Sequence, residues 1–249
     1  MSKTICPGQD TRFWKPEDIF EVSCSSCGAT VEFFKDEGQR RCTVCGARIK
    51  NPKLAMGCAQ WCEHAKECLG FDPKEIKMES EEETSLADKL VEAVKNELAG
   101  NQKRLTHSLE VLEEAQSLMR DFDVSPKVVI AAALLHEVDA NTAESKYTGR
   151  IRENTARETT EVAERIMKKV DLDPDTIEKV CRIIGCFHDE EDNASTEAKI
   201  LWDADTFVNL SGEYDEIDPE KLDKYINKAF KTALARKKAR SVFIEKAVG

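Results

Sequence analysis

The chain has 249 residues, 41% of them hydrophobic and 34% charged, with a formal net charge of -11. That length supports one large domain or two, each able to bury a core of its own. So acidic a body repels nucleic acid as a whole, and its longest apolar run, Val128 to Leu135, is too short to span a bilayer.

No N-terminal stretch shows a basic region followed by an apolar segment, so the expectation is a protein neither exported by a signal peptide nor inserted in a membrane. Ten Cys and four His are unevenly placed: eight of the Cys lie within the first 68 residues and three of the His lie later. In a cytoplasmic, reducing compartment, clustered Cys pairs serve as metal ligands rather than disulfides. The split predicts a cysteine-rich module over 1–70, an acidic linker over 71–83 and a second domain over 84–249.

In chain order, the first clear motif is a pair of knuckles, Cys24-Ser25-Ser26-Cys27-Gly28 and Cys42-Thr43-Val44-Cys45-Gly46, separated by fourteen residues. Between them Thr30 to Lys35 alternates as a strand does, and Asp36-Glu37-Gly38 makes a turn. A Gly after each second Cys suits a tight turn with positive φ, which aims backbone amides at the thiolates. The arrangement resembles a zinc ribbon, with Cys24, Cys27, Cys42 and Cys45 around one tetrahedral Zn²⁺. A closed four-thiolate site of this kind is structural first, and its outer face is open to a protein partner.

A second cysteine group follows, in Cys58-Ala59-Gln60-Trp61-Cys62-Glu63-His64 and Cys68. Cys58 and Cys62 share a helix face, and Cys68 joins them where that helix ends near Gly70. The fourth ligand comes from Cys6 or His64; Cys6 is favoured because His64 points away from the other two. Four such thiolates hold either a second Zn²⁺ or an iron-sulfur cluster. The plainer alternative is buried free Cys without metal, which also describes Cys181 and Cys186.

Residues 72 to 83 are charged, ending in Glu79-Ser80-Glu81-Glu82-Glu83, and read as a linker or the lead-in to a helix. Beyond them the pattern is helical throughout. Asn101 caps a helix to about Asp121, and Ser125-Pro126 opens one that ends at His136-Glu137. Further helices are predicted over Glu153 to Val170, Pro174 to Phe187, Ser195 to Leu210 and Pro219 to the C-terminus. The last carries nine Lys+Arg against three Asp+Glu, a solvated face or a phosphate-attracting one. The expected fold is mainly α: an all-α helical bundle preceded by a small ribbon-like β module.

Within that bundle stand Arg104-Leu105-Thr106-His107, Leu134-Leu135-His136-Glu137 and Leu201-Trp202-Asp203-Ala204-Asp205. In order and spacing, with His136 29 residues after His107, they resemble the metal-binding signature of the HD-domain phosphohydrolases, over roughly residues 84 to 249. The resemblance implies a divalent cation (Mn, Fe, Co, Ni or Mg) held by His107, His136, Glu137 and Asp205. Glu137 departs from the family pattern, which has Asp there; it remains a hard oxygen ligand but is one methylene longer. Asp203 and Asp205 are about 200° apart on a helix, so one alone faces the site, and the pattern selects Asp205.

The implied activity is metal-dependent hydrolysis of a phosphate ester, with a phosphorylated small molecule or nucleotide as substrate and a carboxylate such as Glu137 or Asp205 helping to remove the proton of the attacking water. Arg104 pairs with phosphate or stays on the surface. His188 touches phosphate, protonates the leaving group or caps a helix. Two alternatives stand beside this. One is a non-catalytic sensor with a degenerate site and a redox- or iron-responsive Cys cluster. The other makes the ribbon a nucleic-acid adaptor, weakened by the ribbon segment's ten basic against nine acidic residues over 1–70.

Overall fold

Backbone chemistry at the two knuckles shapes the first part of the computed structural model, which describes residues 15–35, 37–53, 73–138, 149–187, 195–212 and 218–245. Each knuckle is closed in the same way. Gly28 N donates to Cys24 O at 2.8 Å and Gly46 N to Cys42 O at 2.9 Å, while Cys24 N and Cys42 N each donate 2.7 Å bonds to Ala29 O and Ala47 O. Gly28 (φ 83°) and Gly46 (φ 74°) take the left-handed conformation that the spacing predicts, which a Cβ would strain.

From the knuckles spring two antiparallel hairpins. A 3-10 turn (Pro16–Asp18) leads into β1 (Ile19–Ser23), which pairs with β2 (Thr30–Phe34), Val22 opposite Val31. β3 (Gln39–Arg41) pairs with β4 (Arg48–Lys50), Arg40 opposite Ile49. Period-two alternation turns Val31, Phe33 and Ile49 inward, where they bury with Cys24 and Cys42. So small a core explains why the ribbon depends on its cysteines.

Contacts divide the chain into two units, residues 1–81 with 121–123, and residues 82–120 with 124–249. Of the stretch read as a linker or helix lead-in, residues 73–83 are helical, continuous with α1 (Pro73–Glu97). Then follow α2 (Gln102–Met119), α3 (Pro126–Leu135), α4 (Gly149–Lys169), α5 (Pro174–Gly185), α6 (Thr196–Ser211), α7 (Pro219–Ala229) and α8 (Ala233–Arg240), with a π turn at Ser241–Glu245. The second unit is all-α among the described residues, as the sequence pattern predicts. No helix among them is long and apolar enough to cross a membrane.

Helix ends follow local chemistry. Asn101 Oδ1 accepts the amide of Arg104 at 3.2 Å, Asp173 that of Thr176 at 2.9 Å ahead of Pro174, and Ser195 that of Ala198 at 3.1 Å. Ser125 stands at the N-cap of α3 as predicted, but its side chain makes no capping bond; Pro126 at the first position needs no amide partner.

α3 is the axis of the bundle. Every residue from Val128 to Leu135 is at most 1% exposed, because α2, α4, α5 and α6 all pack against it. Such all-round burial fixes the C-terminus of α3, and with it His136, against the neighbouring helices.

One helix is shorter than predicted. The continuous helix expected from Pro219 onward is broken at 230–232 into α7 and α8. Asp203 on α6 causes the break: its carboxylate accepts the amides of Lys231 (2.6 Å) and Thr232 (2.9 Å) and the hydroxyl of Thr232 (2.6 Å). Those amides would otherwise continue the helix, and Thr232 Oγ1 then caps α8 through Ala235 N.

Replacing Ile130, fully buried on α3, with Ala should cost about 2–5 kcal/mol. Tyr225→Ala, at a position 48% exposed, should stay within about 0.5 kcal/mol. Denaturant midpoints of the two variants beside the wild type check the contrast.

Candidate metal centres

The four ribbon thiols converge at the two knuckles, with Cys24 and Cys42 buried and Cys27 and Cys45 exposed. Cys24 Sγ lies 3.7 Å from Cys45 Sγ, and Cys27 Sγ 3.7 Å from Cys42 Sγ. A disulfide would hold sulfurs at about 2.05 Å. Thiolates placed tetrahedrally at about 2.3 Å from one ion lie about 3.8 Å apart, which these spacings match. Knuckle amides of Cys45 and Val44 hold the Cys42 thiol down at about 6, whereas burial pushes Cys24 up to about 12. Cys24, Cys27, Cys42 and Cys45 are thus positioned to bind a metal, as in a zinc ribbon.

Cys6, Cys58, Cys62, Cys68 and the alternative ligand His64 lie outside the described residues. Cys181 on α5 and Cys186 just after it are in no disulfide.

In the helical unit, His107 on α2, His136 at the C-cap of α3 and Asp205 on α6 bring their ligand atoms within 4.8 Å of one another. His107 Nε2 lies 2.9 Å from Asp205 Oδ1. His136 Nδ1 lies 2.9 Å from the carbonyl of Ala133, and since a carbonyl only accepts, Nδ1 carries the proton. In the neutral ring the other nitrogen, Nε2, then presents a lone pair. That atom is buried, makes no hydrogen bond and sits 3.6 Å from Asp205 Oδ1, beyond bonding distance.

An unpaired buried nitrogen facing a carboxylate is costly in a protein of hydrogen-bonded groups, and a cation between the three donors would relieve it. The helix end adds to the fit, because the negative end of the peptide dipoles at the C-terminus of α3 favours positive charge. Phe187, 5% exposed, closes one side with its ring 5.5 Å from that of His136.

The electrostatics agree with the donor set. Burial alone would raise the pKa of Asp205, but the bond from His107 and the neighbouring His136 outweigh it and hold the carboxyl well below the ordinary carboxylate range. His107 is raised above its ordinary 6.5, first by that bond to Asp205 and further by the charge of Glu137, against the opposing effect of burial. A proton and a metal ion thus compete for His107 Nε2.

Of the sequence-predicted ligands, His107, His136 and Asp205 come together. Glu137 directly follows His136, is half-buried and stands outside that group of three, acting on His107 through its charge. Arg104 lies one turn before His107 on α2, half-buried. His188 is outside the described residues. Asp203, turned away from the site as the helix angle predicts, is fully buried and serves the α7–α8 corner.

Sequence reasoning missed Asn209, whose Nδ2 donates to Asp205 Oδ2 at 3.0 Å. Its i,i+4 spacing from Asp205 is the signal that could have found it.

Two imidazoles and a carboxylate drawn from three helices, with a buried nitrogen left unbonded, are placed to hold a metal ion. The family model of the HD domain matches residues 104–210, from the residue that opens the first motif to the end of α6. No curated protein and no solved structure gives a match.

In metal-free protein the share of stability from His107 is complete below its unfolded value near 6.5 and is lost as the pH rises through its raised folded value. That from Asp205 is complete above its unfolded 3.8 and is lost as the pH falls through its depressed folded value. His107→Gln should therefore destabilise the metal-free protein more at pH 6 than at pH 9, measured by urea denaturation. At the ribbon, removing metal with a strong chelator should unfold β1–β4, read as loss of amide-exchange protection there while α3 stays protected.

Proposed function

We propose that the chain is a metal-dependent phosphohydrolase that cleaves a phosphate ester of a small metabolite or nucleotide. The observation that carries this reading is the buried, unpartnered Nε2 of His136, converging with His107 Nε2 and Asp205 Oδ1 inside the segment matched by the HD family model. His107, His136 and Asp205, with Glu137 as a further carboxylate, would hold a divalent cation, and this mixed nitrogen and oxygen set suits Mn²⁺, Fe²⁺, Co²⁺, Ni²⁺ or Mg²⁺. When bound, such an ion supplies Lewis acidity toward a phosphate oxygen and lowers the pKa of a nearby water.

The chain's own residues do the rest. Glu137 takes the proton of the water that attacks phosphorus. Arg104, on the turn before His107, neutralises phosphate charge. His188 contacts the phosphate or returns a proton to the departing alkoxide as the P–O bond breaks, giving an alcohol and inorganic phosphate. Phe187 and the buried side chain of Val138 keep bulk water away from His136.

In the same reading the ribbon holds Zn²⁺, which a set of four thiolates favours, and the closed site leaves its role structural, with a protein partner on its outer face. Cys6, Cys58, Cys62 and Cys68 form a second zinc or iron-sulfur site. A reducing cytoplasm keeps all these thiols from pairing as disulfides.

A second reading rests on Glu137 standing outside the group of three donors. With the family's carboxylate displaced, the site would bind metal without turnover and serve as a sensor.

One experiment separates them: hydrolysis of a panel of phosphomonoesters, nucleotides and cyclic dinucleotides by anaerobically purified protein in added Mn²⁺, Co²⁺ or Mg²⁺, beside Asp205→Ala. The hydrolase predicts metal-dependent turnover that falls by about 100-fold or more in the variant. Metal binding with equal, background rates in both proteins would select the sensor.

A further inference from the structure

The two oxygens of Asp205 have different partners. Oδ1 faces both imidazoles, 2.9 Å from His107 Nε2 and 3.6 Å from His136 Nε2, while Oδ2 accepts the amide N–H of Asn209 at 3.0 Å. Asn209 is four residues on, at the exposed side of the last turn of α6, and touches neither histidine by any bond in the described residues.

The same device occurs a second time. On α7, Asn227 Nδ2 donates to Asp223 Oδ2 at 3.0 Å, and Asp223 Oδ1 then receives Arg240 Nε at 2.7 Å. In each pair an asparagine one turn on holds Oδ2 and leaves Oδ1 aimed at a cation. At Asp223 that cation is a guanidinium. At Asp205 it is protonated His107, or the ion that displaces the proton.

We propose that Asn209 is a positioning residue of the metal centre, fixing Asp205 as a ligand through Oδ1 alone. This rests on the metal-site reading above and goes beyond it. A free carboxylate can rotate to offer either oxygen or both. With Oδ2 held by Asn209, the carboxylate occupies one coordination position, and positions are left for water and a phosphate oxygen. The asparagine amide suits this task because it donates without adding charge: a lysine there would neutralise Asp205 and weaken the ion, and an aspartate would repel it. Partners of this kind, one bond removed from the metal, typically contribute 10–100-fold in metal affinity.

The test is Mn²⁺ titration, followed by the electron-spin signal of free Mn²⁺, on the full chain with its cysteine sites already loaded. Wild type is compared with Asn209→Leu, which removes the donor at similar volume, with Asn209→Gln, which keeps an amide, and with His136→Ala as the blank. The expected result is a Kd raised about 10–100-fold in Asn209→Leu and partly restored in Asn209→Gln, with the melting temperature of the metal-free protein unchanged. Equal Kd in wild type and Asn209→Leu would overturn the proposal. So would equal weakening in both Asn209 variants together with a lower metal-free melting temperature, which marks a purely structural bond. If wild type and His136→Ala titrate alike, the metal site itself fails, an outcome distinct from either.

Discussion

A buried imidazole nitrogen with nothing to bond is the constraint from which the rest of the helical unit follows. His136 is carried to that position by α3, whose apolar surface is covered on all sides, so neither the backbone nor the ring can turn away to find water. The bond from Nδ1 to Ala133 O fixes the ring and leaves Nε2 pointing at Asp205. Burial of this kind lowers stability unless a partner arrives, which is how a site is held ready for an ion: the cost falls on the fold, and binding relieves it.

The segment Trp202-Asp203-Ala204-Asp205 shows how one helix divides its tasks by angle. Asp205 turns to the histidines. Asp203, about 200° away, turns into the interior and ends α7 by taking the amides of Lys231 and Thr232. Burial raises the pKa of Asp203, opposed by its bonds to Thr232 and to the amides of Lys231 and Thr232, whereas Asp205 is held down by its histidines. Trp202 reinforces the corner by donating Nε1–H to Ala229 O at 2.9 Å, and its ring lies between Phe187, 5.8 Å away, and the ammonium of Lys231, 4.7 Å away. The α7–α8 corner is thus tied to the helix that carries the metal ligand.

Much of this was legible in the residues. Ser125-Pro126 announced a helix ending at His136-Glu137, the two Cys-x-x-Cys-Gly knuckles announced their left-handed glycines, and the order of His107, His136 and Asp205 announced convergence. What escaped depends on contacts between distant segments. Nothing local between Phe230 and Thr232 breaks a helix, since no Gly or Pro stands there; the break is imposed by a carboxylate 28 residues earlier in the chain. The stretch before residue 84 carries too little apolar pattern to be assigned, although its Glu and Lys content favours a helix once α1 is anchored by Leu86, Leu90 and Val94. Asn209 was hidden because an asparagine on an exposed helix face is ordinary until its partner is known to be a ligand.

The two candidate donor sets of the chain differ in chemical kind. The four ribbon thiols are soft donors within 4.8 Å of one another, and a set of four filling a tetrahedral ion has no place for a substrate. Two imidazoles and a carboxylate in the helical unit are harder and, among the described residues, number one fewer. Thiophilic ions favour a set of the first kind, and ions that prefer nitrogen and oxygen favour one of the second. Within the second set Asn209 engages Oδ2 of Asp205, so that Oδ1 alone is the oxygen facing both imidazoles.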